Sequence, residues 1–274
     1  MKRCKQISEH EAQILGILTD LGLSDITVPY ELKGLQLIME EGRQNSRDCC
    51  SVTELYQNCL KRLYTFRYDS FSQGIYAFYG KPTPPQYNES YAEYLFLQIK
   101  NLQHGIEEIE ERRLSSTGRK IFSWLMQKFE YHYESISEID HFELLHGDLH
   151  LGNILEYDGS YRLIDFEYAR FGPKAMEIAF LLCWEYIVGL RDCVDISSVK
   201  TEMQSLQKCQ AIDDCEKILI EEIYIPLFIV LAINAADKKL YRDSDVIAES
   251  AAGFAEAYLK CLEWGVIDER RKTI

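Results

Sequence analysis

The chain has 274 residues, of which 47% are apolar and 27% charged. That balance suits a globular chain with a buried core, and the length allows one large domain or two smaller lobes. Asp plus Glu outnumber Lys plus Arg by 44 to 30, a formal charge of −14, which argues against nucleic acid as the main partner and suits a cationic small molecule. No stretch reaches the roughly 18 to 20 consecutive apolar residues that span a bilayer, so no membrane is expected. Met1 to Gln13 holds basic residues with no apolar run behind them, so no signal peptide is expected either. Nine cysteines without a CxxC pair fit a reduced, cytoplasmic setting.

The first element to read is a helix. Ser8 and Glu11 have capping-box spacing, and Ala12, Leu15, Leu18 and Leu21 recur at helical intervals behind them. Thr27 to Leu32 and Leu35 to Glu41 read as two short strands around a tight Lys33-Gly34 turn. Residues 52–67 and 89–137 are mostly helix formers, interrupted by Gly80-Lys81-Pro82-Thr83-Pro84-Pro85, which must be loop. Residues 174–191, 197–208, 212–237 and 243–264 again read as helices. The expected fold class is α+β: a small strand-bearing unit over residues 1–42 and a large, mainly helical one over 43–274.

Between the helices lies the stretch Leu144 to Ala169, LLHGDLHLGNILEYDGSYRLIDFEYA. Phe142 to Leu145 and Tyr161 to Ile164 are apolar runs suited to buried strands. Asp158-Gly159 is a turn signal, so Asn153 to Ile164 reads as a hairpin. Its open end then gathers Asp148, Asn153 and Asp165. A carboxylate able to take a proton would stand beside an Asn–Asp pair of hard oxygen donors, which suits Mg²⁺. That is the equipment of phosphoryl transfer. Two simpler readings compete. His146 and His150 could ligate zinc in a hydrolase, but no HExxH or histidine-rich segment supplies further ligands. Asp148 and Asn153 could merely cap turns, but that leaves Asp165, directly after an apolar run, unexplained.

The words HGDLHLGNIL and LIDFEYARFGPKAMEIAFLLCWEY resemble the aminoglycoside phosphotransferase and choline kinase superfamily, which has a protein-kinase-like fold. Asp148 and Asn153 are five apart, as in the protein-kinase catalytic loop. The resemblance implies an ATP- and Mg²⁺-dependent kinase, or one using another nucleoside triphosphate, acting on a hydroxyl of a small, amine-bearing molecule. It makes Asp148 the base, Asn153 and Asp165 the metal ligands, and His146 and His150 supports of the loop. Glu167, in place of the protein-kinase glycine, would assist metal or substrate. Glu177 would tie down the loop. Near the N-terminus, Lys2 or Lys5 would take the place of the phosphate-binding lysine and Glu11 that of its helix partner; otherwise Glu11 is a capping residue only. Met39, Glu40 and Glu41 would form the hinge to adenine. No glycine-rich phosphate loop is legible, and the first glycine is Gly16. The expectation is a shortened N-terminal lobe with reduced activity, or a start that lies upstream; the alternative is a pseudokinase that binds nucleotide or a protein partner.

Overall fold

The computed structural model describes residues 2–40, 43–44, 51–68, 90–109, 112–140, 142–190, 196–240 and 243–271. The helix and the hairpin read from the N-terminal sequence are both present, and a strand precedes them. Strand β1 (Lys2–Gln6) runs antiparallel to β3 (Gln36–Glu40), which also pairs with β2 (Tyr30–Lys33), giving the order β1-β3-β2. Gly34 turns the hairpin with a positive φ of 63°. The second strand starts later than expected. Pro29 has no N–H to give a ladder, and Thr27 instead makes a parallel bridge to Leu163 in the other half of the molecule.

Helix α1 (Glu9–Asp20) packs beside this sheet. Its buried stripe is Glu11, Ile14, Leu15 and Leu18, while Leu21 is exposed. The Ser8 hydroxyl accepts the Glu11 N–H at 3.0 Å, as a capping box requires. The Glu11 carboxylate turns away from the cap to Lys5.

After Glu40 the chain passes into a second sheet. Strand β4 (Arg43–Gln44) pairs with β7 (Ile154–Tyr157), and β7 with β8 (Ser160–Leu163). Glu41 and the proline-rich stretch at 80–85 lie outside the described residues. Asp158 and Gly159 close the β7–β8 hairpin with φ of 51° and 70°, the left-handed pair that a two-residue turn demands.

The rest is mainly helix. Short helices α2 (Val52–Leu55) and α3 (Lys61–Leu63) flank a π-turn at Tyr56–Leu60. Helices α4 (Tyr91–Glu108) and α5 (Arg112–Ser137) follow. A third sheet, β5 (Arg67–Tyr68), β6 (Phe142–Leu145) and β9 (Arg170–Gly172), has the order β5-β6-β9. So Phe142–Leu145 pairs outside the hairpin it precedes in sequence. Helices α6 (Lys174–Ile187), α7 (Ile196–Lys208), α8 (Asp214–Leu219), α9 (Ile225–Asp237) and α10 (Ser244–Arg271) complete the chain.

Helix α9 packs against α4, α5, α6 and α10. The run Asp214–Asp237 is long and apolar enough to cross a membrane by length and composition, but 61% of its apolar window is buried inside the fold. It is the central helix of this core.

Candidate active site

Three short segments converge where the N-terminal sheet meets the helical part. The first is the turn His146 to Asn153, which leaves β6 and enters β7. Gly147 adopts φ +83°, and a Cβ there would sit 1.8 Å from the Tyr168 carbonyl oxygen. Only glycine fits. Buried Glu177 on α6 accepts the Gly147 N–H at 2.6 Å and the Tyr64 hydroxyl at 2.9 Å. Glu185 on the same helix accepts the Leu151 N–H at 3.1 Å. Glu177 thus ties down the loop as expected. Tyr64 and Glu185 were not foreseen, although two acids within an otherwise apolar helix are a usable signal. Burial raises the Glu177 pKa, and the N–H and hydroxyl donors around it pull the other way.

The second group is the loop's own side chains. His146 is fully buried between two backbone partners. Its Nε2 donates to the Ile164 carbonyl at 2.8 Å, and its Nδ1 accepts the Asp148 N–H at 3.4 Å. Those roles fix a neutral ring, and burial lowers its pKa to about 4. The Asn153 amide donates to the Asp148 carbonyl at 2.9 Å and to its carboxylate at 3.3 Å. His150 Nε2 stands 3.6 Å from that carboxylate. The interaction with His150 lowers the Asp148 pKa and raises that of His150. The rise is limited by geometry: His150 Nδ1 accepts the Gly152 N–H at 3.0 Å, which only an unprotonated nitrogen can do.

The third group faces this loop from both halves of the molecule. Asp165 lies just beyond β8 with φ 67° and ψ 63°, a left-handed conformation uncommon outside glycine. Lys5 on β1 reaches it at 2.8 Å and reaches Glu11 on α1 at 3.4 Å. Burial by itself would lower the Lys5 pKa, but the bond to Asp165 and the charge of Glu11 outweigh it and raise it. Burial raises Glu11 as well, with Lys5 opposing. Lys5, one of the two lysines considered, meets Glu11.

The Ile164 N–H donates to the Asn153 carbonyl at 3.0 Å, which sets Asp165 beside Asn153. With Nδ2 spent on Asp148, the amide oxygen of Asn153 is the atom it would offer a cation. A carboxylate and an amide oxygen form a hard donor pair that fits Mg²⁺. Glu167 is exposed in the turn Phe166–Tyr168 just beyond. Met39 is buried at the end of β3, and Glu40 accepts a hydrogen bond from Tyr157 on β7, across the passage between the sheets.

The fold has counterparts of known structure. Ethanolamine kinase from Plasmodium vivax superposes with a TM-score of 0.54 at 19% identity, covering 92% of this chain and 72% of that one. A glucosamine kinase superposes with a TM-score of 0.59 at 15% identity, covering 94% and 75%. Aminoglycoside phosphotransferase APH(4)-Ia gives 0.57 at 12%, covering 94% and 85%. The chain shares the fold of these kinases. Residues 87–192 also match the sequence model described as the phosphotransferase enzyme family. No curated protein matches the sequence. The phosphotransferase match takes in the whole stretch from Asp148 to Asp165, together with the helix that carries Glu177 and Glu185. Lys5 and Glu11 lie outside it, and the structure selects their pairing from the two the sequence offered.

Proposed function

We propose that the protein is an ATP- and Mg²⁺-dependent phosphotransferase acting on a hydroxyl of a small molecule. The observation that carries this is the convergence of Lys5, Glu11 and Asp165 from three elements, next to the Asp148–Asn153 pair. Lys5 is placed to hold phosphate oxygens, with Glu11 fixing its direction. Bound at Asn153 and Asp165, Mg²⁺ would offset phosphate charge.

Asp148 orients the acceptor hydroxyl and takes its proton. Its lowered pKa makes it a weak base, which suits a reaction in which proton removal lags behind cleavage of the phosphate bond. Met39 and Glu40 lie where adenine would meet backbone groups, and Glu41 follows them in sequence as the third hinge residue. His146 and His150 hold the loop, and Glu167 stands at its rim. An amine on the acceptor is favoured by the acidic chain, with its formal charge of −14. A glucosamine kinase is known with glucosamine, ADP and inorganic phosphate bound, which supports nucleotide use in this fold.

The test is ATP consumption with Mg²⁺ against a panel of hydroxylated small molecules, alongside calorimetric titration with ADP. Acceptor-dependent consumption supports the phosphotransferase. Nucleotide binding with no turnover of any acceptor supports the pseudokinase instead.

A further inference from the structure

The acceptor hydroxyl has to reach Asp148, so the surroundings of that loop decide what else the acceptor carries. A small hollow lies against the loop, bounded by Leu145, Gly147, Arg170, Met176, Phe180 and Phe228. Its volume is about 60 Å³, room for a few waters or a small polar group. The walls are mostly apolar. Phe180 stacks on Trp184 at 4.8 Å and meets Phe228 edge-on at 5.3 Å, so the aromatic side is rigid.

Arg170 is the cation of this hollow. It lies on β9 directly opposite Leu145 of β6, three residues before Asp148. Directly opposite residues share a face of the sheet, so its side chain projects on the same side as Leu145. Arg170 is exposed, and no hydrogen bond or ion pair engages its guanidinium among the described residues. The acid in the same hollow, Glu177, already holds Gly147 and Tyr64. Its charge is felt by Arg170 without an ion pair between them.

We propose that Arg170 binds an oxyanion, a carboxylate or phosphate, on the acceptor whose hydroxyl sits at Asp148. The proposal rests on the phosphotransferase reading and narrows it. A guanidinium presents paired N–H donors that match such a group at two points, and an apolar wall beside it strengthens the attraction. A purely cationic acceptor would meet Arg170 as a like charge.

The test uses the full chain, Arg170→Gln and Arg170→Lys, with ATP, Mg²⁺ and three sets of acceptors. The first set carries a carboxylate (L-serine, D-glycerate, D-gluconate), the second a phosphate (glycerol 3-phosphate), and the third neither (glycerol, ethanolamine, choline, kanamycin). Turnover is expected in the first or second set, and which of the two responds identifies the oxyanion. Arg170→Gln should raise KM for that acceptor about tenfold to a hundredfold, the effect of one lost charge-assisted contact. The kcat should stay within about threefold and ADP affinity should be unchanged, with Arg170→Lys recovering part of the KM. Turnover confined to the third set, or an unchanged KM in Arg170→Gln, overturns the role of Arg170 and leaves the phosphotransferase standing. No turnover with any acceptor takes down both.

Discussion

In the proposed reaction, a single atom at Asp148 separates a base from an inert copy. Asn at that position keeps the shape and can still meet Asn153, but it cannot take a proton. Asp148→Asn should lower kcat by about a hundredfold to ten-thousandfold while ADP affinity stays close to the parent value. Near-normal turnover would make Asp148 a structural residue. The neighbouring His146 gives a pH signature of a different kind. Its pKa is near 4 in the fold, against 6.5 when unburied. A depressed folded pKa means stability that is complete above 6.5 and lost as the pH falls towards 4, because the unfolded chain takes up the proton first. The loss from this one residue is about 3 kcal/mol. Glu177 acts in the opposite sense: its raised pKa gives stability that is present below 4.5 and lost as the pH rises through its folded value. Urea midpoints measured between pH 7 and pH 4.5 should therefore fall more steeply in the parent than in His146→Asn, which no longer titrates. Equal acid slopes would show that His146 is not the titrating group.

At the scale of elements, the question is what keeps α1 in register with the Asp165 turn. Two connections do so. Lys5 joins β1 to both Glu11 and Asp165. His10, one residue before Glu11, contacts the Ala169 carbonyl through Nε2 at 2.9 Å. The carbonyl before it, that of Tyr168, is the one that excludes a Cβ at Gly147. Helix α1 is thus tied to the same short turn that shapes the Asp148 loop. His10→Ala removes the hydrogen bond to the Ala169 carbonyl, whose loss should lower Tm by about 1 to 4 °C. Mg²⁺–ADP affinity should fall as well, because Glu11 would no longer be held opposite Lys5. His10→Gln, which retains a donor, should restore part of it. A variant with lower Tm and unchanged affinity would confine His10 to packing.

Over the whole molecule, what could be read from the sequence depended on how local its cause was. The Asp158-Gly159 turn, the β7–β8 hairpin and the gathering of Asp148, Asn153 and Asp165 are set by residues within about 20 positions of one another, and each was legible. The pairing of Lys5 with Glu11 was legible only as one of two choices, since strand register decides which lysine faces the helix. The pairing of β6 with β9, which puts Arg170 beside Leu145, was not legible at all, because nothing local in Phe142–Leu145 names its partner. The same long-range closure sets the last prediction. Asp165 is the point where the N-terminal sheet, through Lys5, meets the loop of the helical part. A ligand held there by both sides favours the folded state by mass action, about 2.7 kcal/mol at a hundredfold excess over its Kd. For a chain of this size that corresponds to a Tm rise of roughly 5 to 10 °C. ADP with Mg²⁺ should produce such a rise, and Mg²⁺ or adenosine alone should produce much less, since neither gives Lys5 a phosphate and Asp165 a shared cation together. In Asp165→Ala, folded as judged by circular dichroism, the Mg²⁺-dependent part of the rise should vanish. An undiminished Mg²⁺-dependent rise in that variant would place the metal elsewhere in the molecule.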